Sequence, residues 1–377
     1  MLVTGARQTG KSTLLTHVFP DVPRVSLDLP SEAEAAEARP AAFLAALPKP
    51  VILDELQYAP ALFRYLKVDI DNNRHQRGRY LLSGSQKFEL MQGASESMAG
   101  RLGILELETL AIDELHAHAI HPSVTDFIVR GGFPELWRDP NIDPTLYHRA
   151  YLSTYLERDL RQIMQVRSLR DFERFLRLLA ARSGALLNKS ELAKEVGVAV
   201  STIGDWISVL QSSGQITLLE PYYRNLTQRV IKSPKFYFND TGLLCHLLGL
   251  DAASASRDPW VGPLFESFVI GQLRRWLATR TGPAGTLFYY RDRRGLEVDV
   301  LLESGGALTA MEIKASERPS PSDAKNLLRL RQGLDRNPTA TPRPHLERLL
   351  LACQVAKAYP LSNDVLAVPA TTYPDWL

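Results

Sequence analysis

Short, largely apolar runs punctuate the first 110 residues of the chain. They occupy residues 1–3, 51–53, 79–82 and 102–107, and segments with helical spacing lie between them. Continuously apolar runs of this length are typical of parallel strands whose two faces are both covered. The pattern predicts an α/β domain over residues 1–122, built on a parallel sheet.

The hydrophobic period becomes helical over 126–183, where apolar residues recur at spacings of three and four. Arginine and acidic residues alternate along the other faces, which is typical of solvated helices. We therefore predict a helical connector over residues 123–185.

Residues 186–235 have the order helix, glycine, helix, strand. Gly197 ends the first helical pattern, Ser-Ser-Gly at 212–214 ends the second, and an apolar run follows at 216–219. This order predicts a winged helix-turn-helix. The second helix carries no lysine or arginine. Basic residues that follow it are candidates for phosphate contacts: Arg224, Arg229, Lys232 and Lys235. A packing module between the flanking domains is the alternative.

Residues 236–377 are predicted to form a second α/β domain. Two alternating runs, 297–302 and 308–314, flank a Gly-Gly turn and predict a β-hairpin. Because the strand period is two, Glu312 and Lys314 share a face. If Asp299 lies beside them, the carboxylates can bind a divalent metal and the lysine can activate water.

Composition excludes several classes of protein without choosing a function. The 377 residues are 45% hydrophobic and 23% charged, with a net charge of +2, as in ordinary globular proteins. No apolar stretch is long enough for a membrane helix, and two cysteines cannot form a disulfide framework. We expect a cytoplasmic protein without membrane contacts. Six arginines between 273 and 294 suit a phosphate backbone, unless they coat a solvated helix face.

The first apolar run leads into a glycine-rich segment that fits G-x-x-x-x-G-K-[ST] and precedes a helical pattern. Glycines allow backbone N–H groups to wrap phosphates, and the helix N-terminus adds a favourable dipole. Lys11 is expected to reach the β and γ phosphates of ATP, and Ser12 to ligate Mg²⁺. An accidental glycine-rich turn is the alternative. The predicted ATP-binding residues are Gly5, Ala6, Arg7, Gln8, Thr9, Gly10, Lys11, Ser12 and Thr13.

Candidate catalytic residues follow or precede the later strands. Asp54 is expected in the magnesium shell, and Glu55 is placed to polarise the attacking water, which favours hydrolysis over transfer to a metabolite. Ser83 is a candidate contact of the γ-phosphate or the water. Arg101 is a candidate for stabilising transition-state charge, in cis or from a neighbouring subunit. The alternatives are a surface acid pair, a capping serine and a solvated arginine.

Four segments in this order, GARQTGKST, ILDELQ, LLSGSQ and AGRLGILEL, resemble the AAA+ domain (AAA_14 type) of prokaryotic ATPases that end in a DUF4143 region. The resemblance covers the first third of the chain and implies ATP and Mg²⁺ as cofactors and a ring-like oligomer. Relatives carry a few tens of residues before the P-loop. We therefore expect a segment before Met1 to be missing and ATP affinity to be weak.

The C-terminal carboxylates carry a second resemblance. Glu266 on a helix, Asp299 on a strand and Glu312 with Lys314 on the next strand resemble the PD-(D/E)xK nuclease core, a restriction-endonuclease-like fold. The DUF4143 resemblance implies the same metal-binding positions.

These expectations combine into an AAA+ ATPase that couples nucleotide hydrolysis to an action on nucleic acid. The alternative is a nucleotide-controlled switch that binds a protein and whose nuclease-like domain is inactive. The predicted partners are ATP, DNA, and either a second copy of the chain or another protein.

Overall fold

The computed structural model describes residues 1–84, 98, 100–154, 169–222, 233–280, 285–335 and 345–372. Contacts within the chain divide it into two units. Unit 1 comprises Met1–Thr109, Phe133–Arg138 and Trp206–Gln215, and unit 2 comprises Leu110–Gly132, Asp139–Asp205 and Ile216–Leu377.

Strands and helices alternate in the first part of the chain and again in the last. The described strands are β1 (Leu2–Thr4), β2 (Arg24–Ser26), β3 (Val51–Asp54), β4 (Tyr80–Gly84), β5 (Ile104–Glu106), β6 (Ile216–Leu219), β7 (Lys235–Phe238), β8 (Thr286–Arg291), β9 (Glu297–Ser304), β10 (Ala307–Ile313), β11 (His345–Cys353), β12 (Tyr359–Pro360) and β13 (Val365–Pro369). The described helices are α1 (Lys11–Val18), α2 (Pro30–Ala38), α3 (Pro40–Ala46), α4 (Leu62–Asn72), α5 (Ile112–Ala117), α6 (Val124–Arg130), α7 (Pro134–Arg138), α8 (Pro144–Thr154), α9 (Leu169–Ala180), α10 (Lys189–Val196), α11 (Val200–Ser212), α12 (Thr241–Leu248), α13 (Ala252–Ala255), α14 (Val261–Ala278) and α15 (Lys325–Asp335).

Unit 1 contains the predicted parallel sheet. Its strand order is β2-β3-β4-β1-β5, and every neighbouring pair is parallel. Alternate strand residues are buried on opposite faces, which explains the continuously apolar runs. One face packs Leu2, Leu53 and Leu82 with Leu62, Phe63 and Leu66 of α4, and the other packs Val3, Ile52 and Leu81 with Leu15 of α1. Because β4 lies between β1 and β3, the carboxyl ends of these three strands meet at one edge.

The region predicted as a winged helix contains two helices and two strands. Asn188 caps α10 by accepting a hydrogen bond from the backbone N–H of Glu191, and Gly197 ends this helix in the left-handed conformation. β6 and β7 pair antiparallel. The winged-helix assignment stays a prediction. Three of the candidate phosphate contacts, Arg224, Arg229 and Lys232, lie outside the described residues.

Unit 2 ends in a six-stranded mixed sheet of order β12-β13-β11-β10-β9-β8. The predicted hairpin is present: β9 and β10 pair antiparallel, and Gly305 and Gly306 make the turn with positive φ. One face of the sheet packs against α15. None of the described helices is both long and apolar enough to cross a membrane.

Candidate nucleotide site and acidic cluster

The segment between β1 and α1 has the backbone of a tight phosphate-binding loop. Gly5, Gln8 and Gly10 have φ values of 145°, 61° and 92°. A Cβ on Gly5 would lie 2.0 Å from the carbonyl oxygen of Leu107, so the loop and the chain after β5 approach too closely for any other residue. Gly10 precedes α1 and provides no side-chain cap, so α1 begins directly at the end of the loop.

Lys11 lies buried inside this loop. Its Nζ donates hydrogen bonds to the carbonyl oxygens of Gly5 at 3.1 Å and Ala6 at 2.7 Å. The loop curls around the ammonium, and Thr9 closes it by donating from Oγ1 to the Ala6 carbonyl at 3.0 Å. A positive charge is thus placed at the centre of the loop, where phosphate oxygens would be attracted.

Two residues far along the chain lie beside the loop within unit 1. A Cβ on Gly10 would be 3.9 Å from Cγ of Pro134, and a Cβ on Gly214 would be 3.6 Å from both the backbone nitrogen and Cβ of Ala6. The motif alone does not reveal either neighbour, because each belongs to a segment distant in sequence.

Asp54 collects three side chains at the carboxyl edge of the parallel sheet. Ser12 Oγ donates to Asp54 Oδ1 at 2.9 Å, Ser83 Oγ donates to the same oxygen, and the Arg24 guanidinium pairs with Oδ2. The Asp54 and Ser83 side chains are buried. The structure therefore brings Ser12 and Ser83 onto the Asp54 carboxylate, and the predicted roles of the three residues toward ATP and Mg²⁺ stay predictions. It adds Arg24, which lies two positions before the end of β2 and gives no sequence signal of its own.

Glu55 follows directly but takes a different direction. Its φ of 59° places it in the left-handed region, which turns the chain out of β3 into the Leu56–Tyr58 turn. Gln57 Nε2 donates to Glu55 Oε2. The Gln57 amide thus holds the Glu55 carboxylate in the turn that follows β3.

Arg101 lies at the opposite edge of the sheet. It precedes β5, and its Nε and Nη2 contact the Asp71 carboxylate at 2.6 Å and 3.0 Å. It lines a cavity with Met1 and Arg79, which also precede their strands. The structure does not bring Arg101 to the P-loop of its own chain. The role in cis is therefore not supported, and the role across a subunit boundary stays a prediction.

Unit 2 contains an acidic cluster around a buried lysine. Lys235 Nζ lies 2.7 Å from Glu297 Oε1, 3.2 Å from Glu266 Oε1 and 3.9 Å from Asp299 Oδ1. Tyr237 OH donates to the same Glu266 oxygen at 2.6 Å. The Lys235 side chain is only 5% exposed. The prediction that Lys235 belongs to a phosphate-binding wing is therefore wrong, because its ammonium is enclosed by carboxylates.

Glu312 and Lys314 lie next to this cluster. Lys314 Nζ donates to Glu312 Oε2 at 3.1 Å, and Asp299 Oδ2 accepts a hydrogen bond from the backbone N–H of Ile313 at 2.9 Å. Of the predicted residues, Glu266 thus lies on α14, Asp299 on β9 and Glu312 on β10, and Lys314 directly follows β10. Among the described residues, however, no group of three or more His, Cys, Asp or Glu side chains has the arrangement of a metal site.

The cluster changes the pKa of its members. Burial, followed by the charge of Asp299, raises the pKa of Glu312 to about 8, although Lys314 acts in the opposite direction. Burial acts to lower the pKa of Lys235, but the carboxylates of Glu266, Asp299 and Glu297 outweigh it and raise the pKa overall. Lys235 is therefore a permanent cation, while Glu312 is largely protonated at neutral pH.

Several arginines of the stretch 273–294 have hydrogen-bond or ion-pair partners within the chain. Arg274 donates to the side chain of Asn239 at 2.7 Å, buried Arg275 donates to the Asn239 backbone carbonyl at 2.7 Å, and Arg291 pairs with Glu297 at 3.3 Å. Arg293 and Arg294 are exposed. Only part of this stretch is thus available to a phosphate backbone.

Three family models match the chain in succession. An AAA domain matches residues 1–116, a domain of unknown function (DUF8612) matches 121–254, and a second domain of unknown function (DUF4143) matches 261–373. The uncharacterized proteins Rv2008c of Mycobacterium tuberculosis and Mb2031c of Mycobacterium bovis are each 32% identical to this chain over 373 residues, which cover 98% of the chain and 80% of each relative. The chain belongs to the family of these mycobacterial proteins.

Similarity to solved structures is weaker. The Orc1 protein of Aeropyrum pernix, solved in complex with DNA, is 15% identical, with 70% of this chain and 87% of that chain covered and a TM-score of 0.29. Protein VC1899 of Vibrio cholerae is 12% identical, with 96% and 89% covered and a TM-score of 0.18. Scores this low do not establish a shared fold. The expected AAA domain and DUF4143 region are confirmed by the family models.

The AAA domain has the oxygen donors that a magnesium–nucleotide complex requires. The Ser12 hydroxyl and the Asp54 carboxylate are hard ligands 2.9 Å apart, and Lys11 lies in the adjoining loop. These residues fit Mg²⁺ bound with phosphates. In the DUF4143 region the fit is poor, because a lysine already contacts the carboxylates of Glu266 and Asp299.

Proposed function

We propose that the AAA domain binds ATP with Mg²⁺ and hydrolyses it, and that this turnover drives an action of the chain on nucleic acid. The hydrogen bond between Ser12 and Asp54 carries the proposal, because it links the phosphate loop to the acidic end of a neighbouring strand. These two oxygen ligands would hold a magnesium ion bound with the phosphates.

The residues of the site divide the chemistry between them. Lys11 attracts the β and γ phosphate oxygens, while Ser12 and Asp54 hold the metal. Bound Mg²⁺ neutralises charge that develops on the phosphates. Glu55 accepts the proton of the attacking water, and the buried Ser83 hydroxyl holds the Asp54 carboxylate in place.

The action on nucleic acid rests on local charge. Arg293 and Arg294 are exposed in unit 2, and Arg224 and Arg229 follow the second helix of the predicted winged helix in sequence. Contacts from such arginines to phosphates are independent of base sequence and weaken steeply as salt rises.

The test is steady-state phosphate release from ATP with and without DNA. We expect Mg²⁺-dependent release in the wild type, none in Lys11→Ala, and wild-type release in the exposed control Lys357→Ala. Duplex or single-stranded DNA should raise the rate, and this effect should fade as salt is increased. Absence of release under every condition contradicts the ATPase, whereas release that DNA never changes contradicts only the coupling to nucleic acid.

A second candidate is a nucleotide-controlled switch that binds another protein. The carboxylates around Lys235 favour it, because an ammonium lies where a nuclease would hold its metal. A cleavage assay with Mg²⁺ or Mn²⁺ on linear, branched and single-stranded DNA separates the two candidates. Cleavage that Asp299→Asn abolishes excludes the switch with an inactive nuclease-like domain. Lack of cleavage together with lack of DNA affinity supports it.

A further inference from the structure

We propose that Lys235 is a built-in counter-ion that replaces a divalent metal among Glu266, Glu297 and Asp299. On this proposal the acidic cluster of unit 2 takes up no Mg²⁺ or Mn²⁺ in the wild-type chain. It deepens the second candidate function by giving the reason why the nuclease-like region would be inactive.

Strand geometry brings the five polar side chains of this cluster together. Lys235 and Tyr237 lie two positions apart on β7 and share a face, as do Glu297 and Asp299 on β9. Glu266 projects from α14 and meets both residues of β7 through one oxygen. Two strand faces and one helix thus converge on the lysine ammonium.

An aromatic ring also lies near the ammonium. Lys235 Nζ lies 5.8 Å from the ring centroid of Tyr289, a residue of β8. The Tyr289 hydroxyl donates to the carbonyl of Ser233, two positions before the lysine. These contacts fix both the ring and the start of β7, so the ammonium cannot swing out of the cluster without breaking several of them.

Electrostatics makes the lysine and a metal mutually exclusive. The three carboxylates are half-buried, and charges that are partly removed from water need compensating positive charge. Lys235 supplies that charge at 2.7–3.9 Å from all three carboxylates. A divalent ion at the same place would have to displace the ammonium, and the displaced charge would remain nearby in a half-buried site.

The proposal predicts that removing the ammonium turns the cluster into a cation site. Lys235→Met keeps most of the length of the side chain but leaves three carboxylates without their cation. We expect this variant to lose thermal stability and to regain it with millimolar Mn²⁺, with a rise in Tm of about 2 °C or more. The rescue should disappear when Asp299→Asn is added, because one ligand is then lost. Lys357→Ala, an exposed lysine of the same unit, should show neither effect.

The wild-type chain provides the decisive comparison. We expect nucleotide-free wild type and Asp299→Asn to bind equal amounts of Mn²⁺ in an electron paramagnetic resonance titration. Mn²⁺ binding by the wild type that Asp299→Asn removes overturns the proposal, and this holds even if Lys235→Met does not fold. Folded Lys235→Met without an Asp299-dependent Mn²⁺ effect overturns it as well. Because no nucleotide is present, the outcome is independent of whether the AAA domain hydrolyses ATP.

Discussion

Ser12 Oγ donates a 2.9 Å hydrogen bond to Asp54 Oδ1 and so connects the start of α1 to the end of β3. Ser83 donates to the same carboxylate oxygen from the end of β4. Two hydroxyls on neighbouring strands and loops thus converge on one acid. They differ in position: Ser12 belongs to the P-loop, whereas Ser83 is completely buried between β1 and β3.

This difference predicts different kinetic effects of removing each hydroxyl. On the proposed function Ser12→Ala removes a ligand of Mg²⁺, so half-saturation of hydrolysis should move to a higher Mg²⁺ concentration. Ser83→Ala loses a group that only orients Asp54, so its activity should fall by about 10- to 100-fold with a smaller change in Mg²⁺ dependence. Magnesium titrations of phosphate release at saturating ATP distinguish them. Equal Mg²⁺ requirements for Ser12→Ala and wild type would remove Ser12 from the metal shell.

Substitution of Glu55 should separate binding from hydrolysis. Glu55→Gln keeps the shape of the side chain but cannot accept a proton, so we expect hydrolysis to fall by about 10²- to 10⁴-fold. ATP affinity, measured by calorimetry, should stay near that of the wild type. Glu34→Gln changes an exposed acid of α2 and is the matched control. Hydrolysis by Glu55→Gln at the wild-type rate would assign the base to another residue.

Arg101→Gln should lower stability near neutral pH more than it affects catalysis within one chain. Hydrogen bonds from Arg101 and Arg74 lower the pKa of Asp71 to about 2. The pair therefore stabilises the fold above the ordinary pKa of an aspartate, and this contribution is lost as pH falls from about 4 to about 2. The difference in Tm between wild type and Arg101→Gln should shrink over that range. Loss of hydrolysis that grows with protein concentration would instead indicate a role for Arg101 across a subunit boundary.

Glu312→Gln should remove a pH dependence from unit 2. Because the pKa of Glu312 is raised to about 8, the folded chain keeps its proton between pH 4.5 and 8 while the unfolded chain has lost it. Wild-type stability should therefore decline as pH rises through that window. The neutral amide does not titrate, so Glu312→Gln should gain in Tm relative to wild type from pH 5 to pH 8. A constant difference in Tm across the window would show that Glu312 is ionised throughout.

Substitution of Gly5 in the P-loop should reduce stability more than substitution of a glycine with open space around it. Gly5→Ala places a Cβ 2.0 Å from the Leu107 carbonyl oxygen, whereas Gly78→Ala meets nothing within 4 Å. Both residues have positive φ, 145° for Gly5 and 79° for Gly78, so each substitution also has a backbone cost of about 1 kcal/mol or more. Chemical denaturation should show a clearly larger loss for Gly5→Ala, together with a loss of ATP binding that Gly78→Ala lacks. Similar losses in both variants would show that the loop can move away from Leu107.

The nucleotide site is largely predictable because its parts are local or follow a rule of parallel sheets. The P-loop is contiguous in sequence, and Asp54 and Ser83 each end an apolar run, so the carboxyl edge collects them. The same rule explains why Arg101 lies away from the P-loop of its own chain. It precedes its strand, and residues that precede parallel strands lie at the other edge. That signal was present in the sequence.

The acidic cluster is less predictable because it depends on contacts between separate sheets and a helix. The hairpin and the helix that carries Glu266 follow from hydrophobic periodicity. The burial of Lys235 does not, because its charge and its place among basic residues are equally typical of a solvated wing. Glu297 and Arg24 likewise gain their roles from partners in other elements. Contacts between side chains of distant segments produce no periodic pattern in the sequence, so they cannot be predicted from it.

The neighbours of the P-loop have a consequence for the order in which the site is made. The loop is synthesised well before Pro134 and Gly214, which lie against Gly10 and Ala6. A nascent chain or a truncated fragment that stops after β5 contains every residue of the P-loop motif but lacks the contacts from Pro134 and Gly214. We therefore expect the nucleotide affinity of such a fragment to differ from that of the longer chain, in which Pro134 and Gly214 lie against the loop.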